Sequence, residues 1–160
     1  MTFKARVFTP DYLLGGEMKV SEALIGELNN PNRRTVSLHQ AQVTTLDPQA
    51  TLPALTLAAV VLPKRTIVGI DLSDPPARSA VRLPPRLELV VLYTSRFIIQ
   101  AQLCLQGDMP VGHVFNVLGG DFFPVTRAHI HPIRPTRPFE PVQAALLMLN
   151  KGWIDFYHQR

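Results

Sequence analysis

Only one of the 160 residues is a cysteine, four are lysines, and charged side chains make up 18% of the chain, so the sequence is defined first by what these scarcities exclude. Cys104 has no second cysteine to bond, which rules out an internal disulfide and a thiolate metal cluster built from this chain alone. Flanked by leucines in a strand pattern, it reads as a small apolar residue. No apolar run approaches the ~20 residues of a membrane span. The longest, Leu55 to Leu62, has the length of a strand and is interrupted by Thr56. Membrane insertion is therefore not expected. The N-terminal Met1-Thr2-Phe3-Lys4-Ala5-Arg6 enters an alternating pattern directly and lacks the apolar segment and cleavage site of a secretory signal, which makes the cytoplasm the expected location.

Catalytic patterns are missing as well. Gly15-Gly16 falls inside a strand pattern and Gly119-Gly120 in a turn, and neither is followed by the Lys-Ser or Lys-Thr of a phosphate loop. Acidic residues are scattered singly, so no carboxylate pair presents itself for acid–base chemistry. A Cys104–histidine dyad is disfavoured by the strand position of Cys104. The expectation is a non-enzyme with no cofactor.

What is present becomes visible when the sequence is slid along itself. Val7-Phe8-Thr9-Pro10-Asp11-Tyr12-Leu13-Leu14 lies over Leu92-Tyr93-Thr94-Ser95-Arg96-Phe97-Ile98-Ile99 at an offset of 85, with every apolar position matched. Gln106 and Gly107 are extra and move the offset to 87, after which Ser21 to Asp71 falls on Asp108 to His158 without a gap. Identities include Asn29 with Asn116, Ala41 with Ala128, Pro48 with Pro135, Leu62 with Leu149, Lys64 with Lys151 and Ile67 with Ile154. Alternation alone aligns any two β-rich stretches but does not produce so long a gapless register. The reading is two copies, residues 1–72 and 88–160, joined by a Pro- and Arg-rich linker over 73–87. Two Pro-Pro pairs stiffen that linker and disfavour helix before them, and Arg78, Arg82 and Arg86 read as solvated spacer charges.

Each copy yields the same elements. A hairpin, Lys4 to Phe8 and Tyr12 to Val20, turns at Thr9-Pro10-Asp11, where Pro presets φ and Asp bonds its own backbone. A short helix follows, opened by Ser21 in one copy and Asp108 in the other. In the first, Leu24, Ile25 and Leu28 mark the apolar side and Glu22 and Glu27 the polar side. The second is weakened by Pro110, Gly112 and β-branched neighbours. Three strands complete the unit: Thr35 to Leu46, Leu55 to Leu62 and Thr66 to Leu72, matched by Phe122 to Ile133, Val142 to Leu149 and Trp153 to His158. The expected fold is mainly β: two tandem small β-roll or barrel units of about five strands, each with one short helix after the first hairpin. Units so small bury little apolar surface, so they are expected to pack on each other or on neighbouring chains.

The pattern resembles a small bacterial domain family of unknown function found as single and tandem copies. The resemblance is carried by Arg6 to Gly16, Leu28-Asn29 and Val36 to Val43 in the first copy, and by Phe115-Asn116, Phe123 to Ile130 and Leu147 to Ile154 in the second. Pro63 departs from the family, which prefers Asn there, and so does Ser95-Arg96, where it prefers Pro-Asp. The resemblance implies no activity, cofactor or catalytic residue.

The most chemically suggestive stretch is His129-Ile130-His131-Pro132-Ile133-Arg134-Pro135-Thr136-Arg137-Pro138. His129 and His131 share one face of a strand, but a first-row metal needs three or four ligands; in the second copy only His113 and His158 could supply more imidazoles, and nothing places them nearby. An exposed strand end running into an Arg-Pro loop is the simpler reading. Arg127, Arg134, Arg137 and Lys151 are the candidate phosphate or nucleic-acid contacts, since arginine forks suit phosphate. The net charge of +4 permits such a partner. A protein interface is the competing reading. The hairpin face carrying Gly15, Glu17 and Lys19 in the first copy carries Gln100, Gln102 and Cys104 in the second, uncharged throughout, as on a face covered by the sister copy or another subunit. With Trp153 and Tyr157 these form the candidate interface. The function expected is that of a non-catalytic structural or interaction protein that self-associates or joins a larger assembly, with nucleic-acid binding by the second copy as the alternative.

Overall fold

The computed structural model describes residues 1–21, 23–137 and 142–160; Glu22 and Pro138, named above, lie outside them. The described strands form one antiparallel sheet of ten. In chain order they are β1 (Thr2–Phe8), β2 (Tyr12–Lys19), β3 (Thr35–Thr45), β4 (Leu55–Pro63), β5 (Gly69–Asp71), β6 (Arg86–Tyr93), β7 (Phe97–Leu105), β8 (Phe122–Pro132), β9 (Val142–Asn150) and β10 (Phe156–Gln159). Their spatial order is β10-β6-β7-β8-β9-β5-β1-β2-β3-β4. Three short helices accompany them: α1 (Leu24–Asn29), α2 (Pro75–Ala80) and α3 (Val114–Val117).

Strict alternation builds the strands. Phe3, Ala5 and Val7 point inward from β1 while Thr2, Lys4 and Arg6 remain outside. Pairings in the first five strands recur in the last five. Phe8 opposite Leu13 corresponds to Tyr93 opposite Ile98, Thr35 opposite Pro63 to Phe122 opposite Asn150, and Gly69 opposite Phe8 to Phe156 opposite Tyr93. The β2–β3 and β7–β8 pairings each slip register at one bulge, between Gly15 and Glu17 and between Gln100 and Gln102. Opposite these, Gln40 and Arg127 both adopt a φ of 49°, which side-chain-bearing residues rarely do.

Several expected local details differ. The hairpin turn is closed by Thr9, whose hydroxyl accepts the Tyr12 N–H at 2.9 Å, and Thr94 does the same for Phe97 at 2.8 Å. Asp11 instead pairs with Arg96 of the other half at 3.2 Å. Helix α1 begins at Leu24 with no side-chain cap, because Ser21 is occupied, its N–H and hydroxyl both donating to the Glu27 carboxylate. Asp108 likewise caps nothing; a 3-10 turn over Val111–His113 runs into α3. The strands expected from Thr66 and Trp153 start later, since 3-10 turns occupy Lys64–Thr66 and Lys151–Trp153.

The 73–87 segment is not uniformly extended. Pro75 and Pro76 occupy the first turn of α2, where missing N–H groups cost nothing, and Ala77 is buried in the first core. Arg86 is no spacer charge: its guanidinium donates to the Gly107 and Met109 carbonyls and fastens the 106–109 turn to β6.

Two apolar cores lie along the sheet, and each contains side chains from the other half. Phe122, Leu146 and Met148 complete the first core; Phe8, Leu46 and Val68 complete the second. The seam between them is β5 with β9, pairing Gly69 with Leu149, Ile70 with Met148 and Asp71 with Leu147. Asn150 clamps it, its side-chain amide donating to the Lys64 and Ile67 carbonyls at 3.1 and 3.0 Å while its oxygen accepts the Gly152 N–H.

Candidate functional site

Wherever a bulge interrupts pairing, the sheet opens a groove, so the two bulges place two grooves at equivalent positions. The first, about 460 Å³, is lined by Lys4, Arg6, Gly16, Glu17, Gln40 and Asp71 among others. Gly16 is required there, because a Cβ would stand 2.8 Å from the His39 carbonyl oxygen. Its charges are mixed and internally paired: buried Asp71 accepts from Arg6 and from the Ser73 N–H at 3.0 Å.

The second groove, about 260 Å³, is lined by Gln100, Gln102, Arg127, His129 and Arg160, with Leu89, Val90 and Ala101, and none of these has an acidic side chain. Arg127 is exposed on the bulge itself, and His129 stands opposite Gln100. The uncharged face thus forms groove wall and core rather than a surface covered by the sister half: Gln100 is exposed, Gln102 half-buried and Cys104 buried. Burial pushes the Cys104 thiol above its ordinary pKa, with Thr126 pulling weakly the other way.

The remaining sequence-derived candidates are dispersed. Arg137 donates to the Ala50 carbonyl and its N–H to Leu46 at 3.0 Å, tying the proline-rich loop to the first half. Lys151 donates to the Leu118 carbonyl at 3.1 Å and so caps the end of α3. The equivalent Lys64 donates to Glu27 and Asn30 at 3.1 and 3.2 Å beside the end of α1, and burial lowers its pKa. Arg134 is exposed beside a cleft of about 350 Å³ that it shares with Asp11, Asp47 and Arg96. The four basic candidates therefore do not converge on one surface. Arg160, which does join Arg127, had no sequence signal beyond its charge. His129 and His131 flank buried Ile130 on one face, and no group of three or more metal-ligating side chains occurs among the described residues.

Trp153 and Tyr157 are both spent within the chain. The indole N–H donates to the Arg65 carbonyl of the first half at 3.0 Å. The Tyr157 hydroxyl donates to the Val111 carbonyl at 3.1 Å, and its ring lies 4.7 Å from that of Phe115. Exposed apolar side chains occur at both ends of the sheet, Leu55, Leu57 and Val61 on β4 and Phe156 on β10, and also away from the ends, at Tyr12, Leu87, Leu89, Val117 and Ile133. Among the described residues, no helix is long and apolar enough to cross a membrane. No family model matches the chain, and neither a curated protein nor a solved structure does.

Proposed function

We propose that this protein is a non-catalytic assembly component, two copies of one small β unit fused in a single chain, that associates with itself. The observation carrying this reading is β4, a nine-residue edge strand without a single charged side chain that exposes Leu55, Leu57 and Val61. Edge strands are ordinarily guarded by charge or covered, because their free N–H and C=O groups recruit further strands. Pro63 is the only guard here, at the very end. Size-exclusion chromatography with light scattering tests the reading: the expected mass is a multiple of the 17.8 kDa chain, and a monomer at every concentration overturns it.

A second reading, nucleic-acid binding, is favoured by the groove of Arg127, His129 and Arg160, whose lining has no acidic side chain. Binding of this kind releases counterions, so electrophoretic shifts with RNA or DNA must weaken between low and high salt. An absence of any shift at low salt removes this reading.

A further inference from the structure

The two ends of the sheet are the separated halves of a junction that the chain already makes once. We propose that chains join head to tail, β4 of one copy pairing with β10 of the next in the register that joins β9 to β5 within the chain. The inference rests on the self-association reading and names its surface. Carrying the β5–β9 register across by the offset of 87 puts Phe156 opposite Leu62 of the next copy, Tyr157 opposite Val61, and His158 opposite Val60.

Exposure at equivalent positions supports this pairing. Met148 is 0% exposed in the first core, whereas its equivalent Val61 is 61% exposed. Leu146 and Phe122, which also complete that core, correspond to Ala59 and Thr35, both exposed. At the other end Gly69 is buried and its equivalent Phe156 is 60% exposed, its ring stacked on Tyr93 at 4.4 Å.

The backbone is aimed correctly as well. Lys64 donates its N–H to Arg34, so strand alternation turns Val61 and Ala59 away from β3 and toward open space. Arg160 donates to Leu89, which likewise turns Gln159 and Tyr157 away from β6. An independent sign comes from the helices. Asn29 reaches across the seam to Phe122, donating to its carbonyl at 2.9 Å and accepting its N–H at 2.8 Å. Asn116 occupies the same place in the second half and is exposed, and its side chain makes no hydrogen bond among the described residues. Head-to-tail pairing brings Thr35 of the next copy to it, in the role Phe122 plays for Asn29.

The outer junction is looser than the inner one. Pro63 stands where Asn150 clamps the seam, and Arg33 where Gly120 leaves room for Asn29. Phe156 replaces Gly69, whose Cβ would press on Leu147 and Leu149, but the smaller Val60 replaces Leu147. Such a contact between unlike surfaces either closes into a ring or continues as a filament.

Cysteine trapping in a Cys104→Ser background, at a concentration where the unmodified chain assembles, tests the pairing. Asp71 and Leu147 are a pair whose backbone groups face away from each other, the closer kind of antiparallel pair, and their equivalents are His158 and Val60. The chain carrying both Val60→Cys and His158→Cys is expected to give a ladder of disulfide-linked multimers on mild oxidation, and each single-cysteine chain no ladder. Val61→Lys and Asn116→Ala, both at exposed positions, are expected to raise the concentration needed for assembly, the first on the order of tenfold or more. If the unmodified chain never assembles, both this inference and the reading beneath it fall. If it assembles but the double-cysteine chain yields no ladder, or Val60→Cys alone is linked as efficiently, self-association stands and head-to-tail pairing is overturned.

Discussion

Asn150 shows how much one buried side chain holds in place. Its amide satisfies two carbonyls of the first half and its oxygen one N–H of its own turn. Truncation leaves those groups in a dry seam, where each unsatisfied polar group costs about 1–3 kcal/mol. Asn150→Ala is expected to lower stability by about 2–3 kcal/mol in urea unfolding, while Gln143→Ala on the exposed side of the same strand changes it little. Cys104 is the residue at which pH matters. Its thiol pKa is raised by burial, so the folded state holds the proton more tightly than the unfolded state does. The associated stability is fully present below the unfolded thiol's pKa, about 8.5, and is lost as pH climbs through the raised folded value. The stability difference between the native chain and Cys104→Ala is expected to be constant from pH 6 to 8 and to shift against the native chain above pH 9. A thiol reagent should react slowly with the folded protein and rapidly after denaturation.

At the scale of elements, burial writes itself as alternation in β1 and as an apolar run in β9; the equally apolar run of β4 forms a strand that is mostly exposed. What interrupts the strands is not legible. Gln40 and Arg127 hold a φ suited to glycine, yet nothing in their identity announces it, because the surrounding pairings and not local propensity impose the bulge. Thr66 and Trp153 alternate as strand residues do, but 3-10 turns claim them first, the one bonded by the Thr66 hydroxyl donating to the Pro63 carbonyl and the other by Asn150 accepting the Gly152 N–H. The Pro-Pro step before Ala77 disfavours helix ahead of it but is welcome in the first turn of the helix that follows. Of the candidate basic site, Arg127 alone lies in the basic groove, since hydrogen bonds to distant carbonyls consume Arg137 and Lys151. Arg127→Gly separates fold from chemistry at the bulge. Relief of the positive φ is expected to leave stability unchanged or raise it by up to about 1 kcal/mol. The same change should abolish any nucleic-acid shift that depends on the groove, and a stability loss above 1 kcal/mol would mean that Arg127 holds the bulge by its side chain.

For the whole molecule, interleaved cores matter more than the count of strands. Met148, Leu146 and Phe122 belong by sequence to the second half and by packing to the first. Such lending is invisible in either half read alone, because the borrowed residues look like ordinary core of their own strands. A half chain therefore lacks part of its core as well as its seam strand. Residues 1–84 expressed alone are expected to show no cooperative unfolding transition, and adding the complementary 85–160 fragment should restore one. Cooperative unfolding of the isolated fragment would show that the borrowed side chains are dispensable. In the proposed head-to-tail pairing the same logic extends past the chain, and β4 would offer the next molecule what β9 gives its own first half. Sedimentation equilibrium over a wide concentration range tests this most directly. A mass rising from 17.8 kDa to a multiple of it, and falling back in Val61→Lys, is the expected result; a constant 17.8 kDa for the unmodified chain would contradict it.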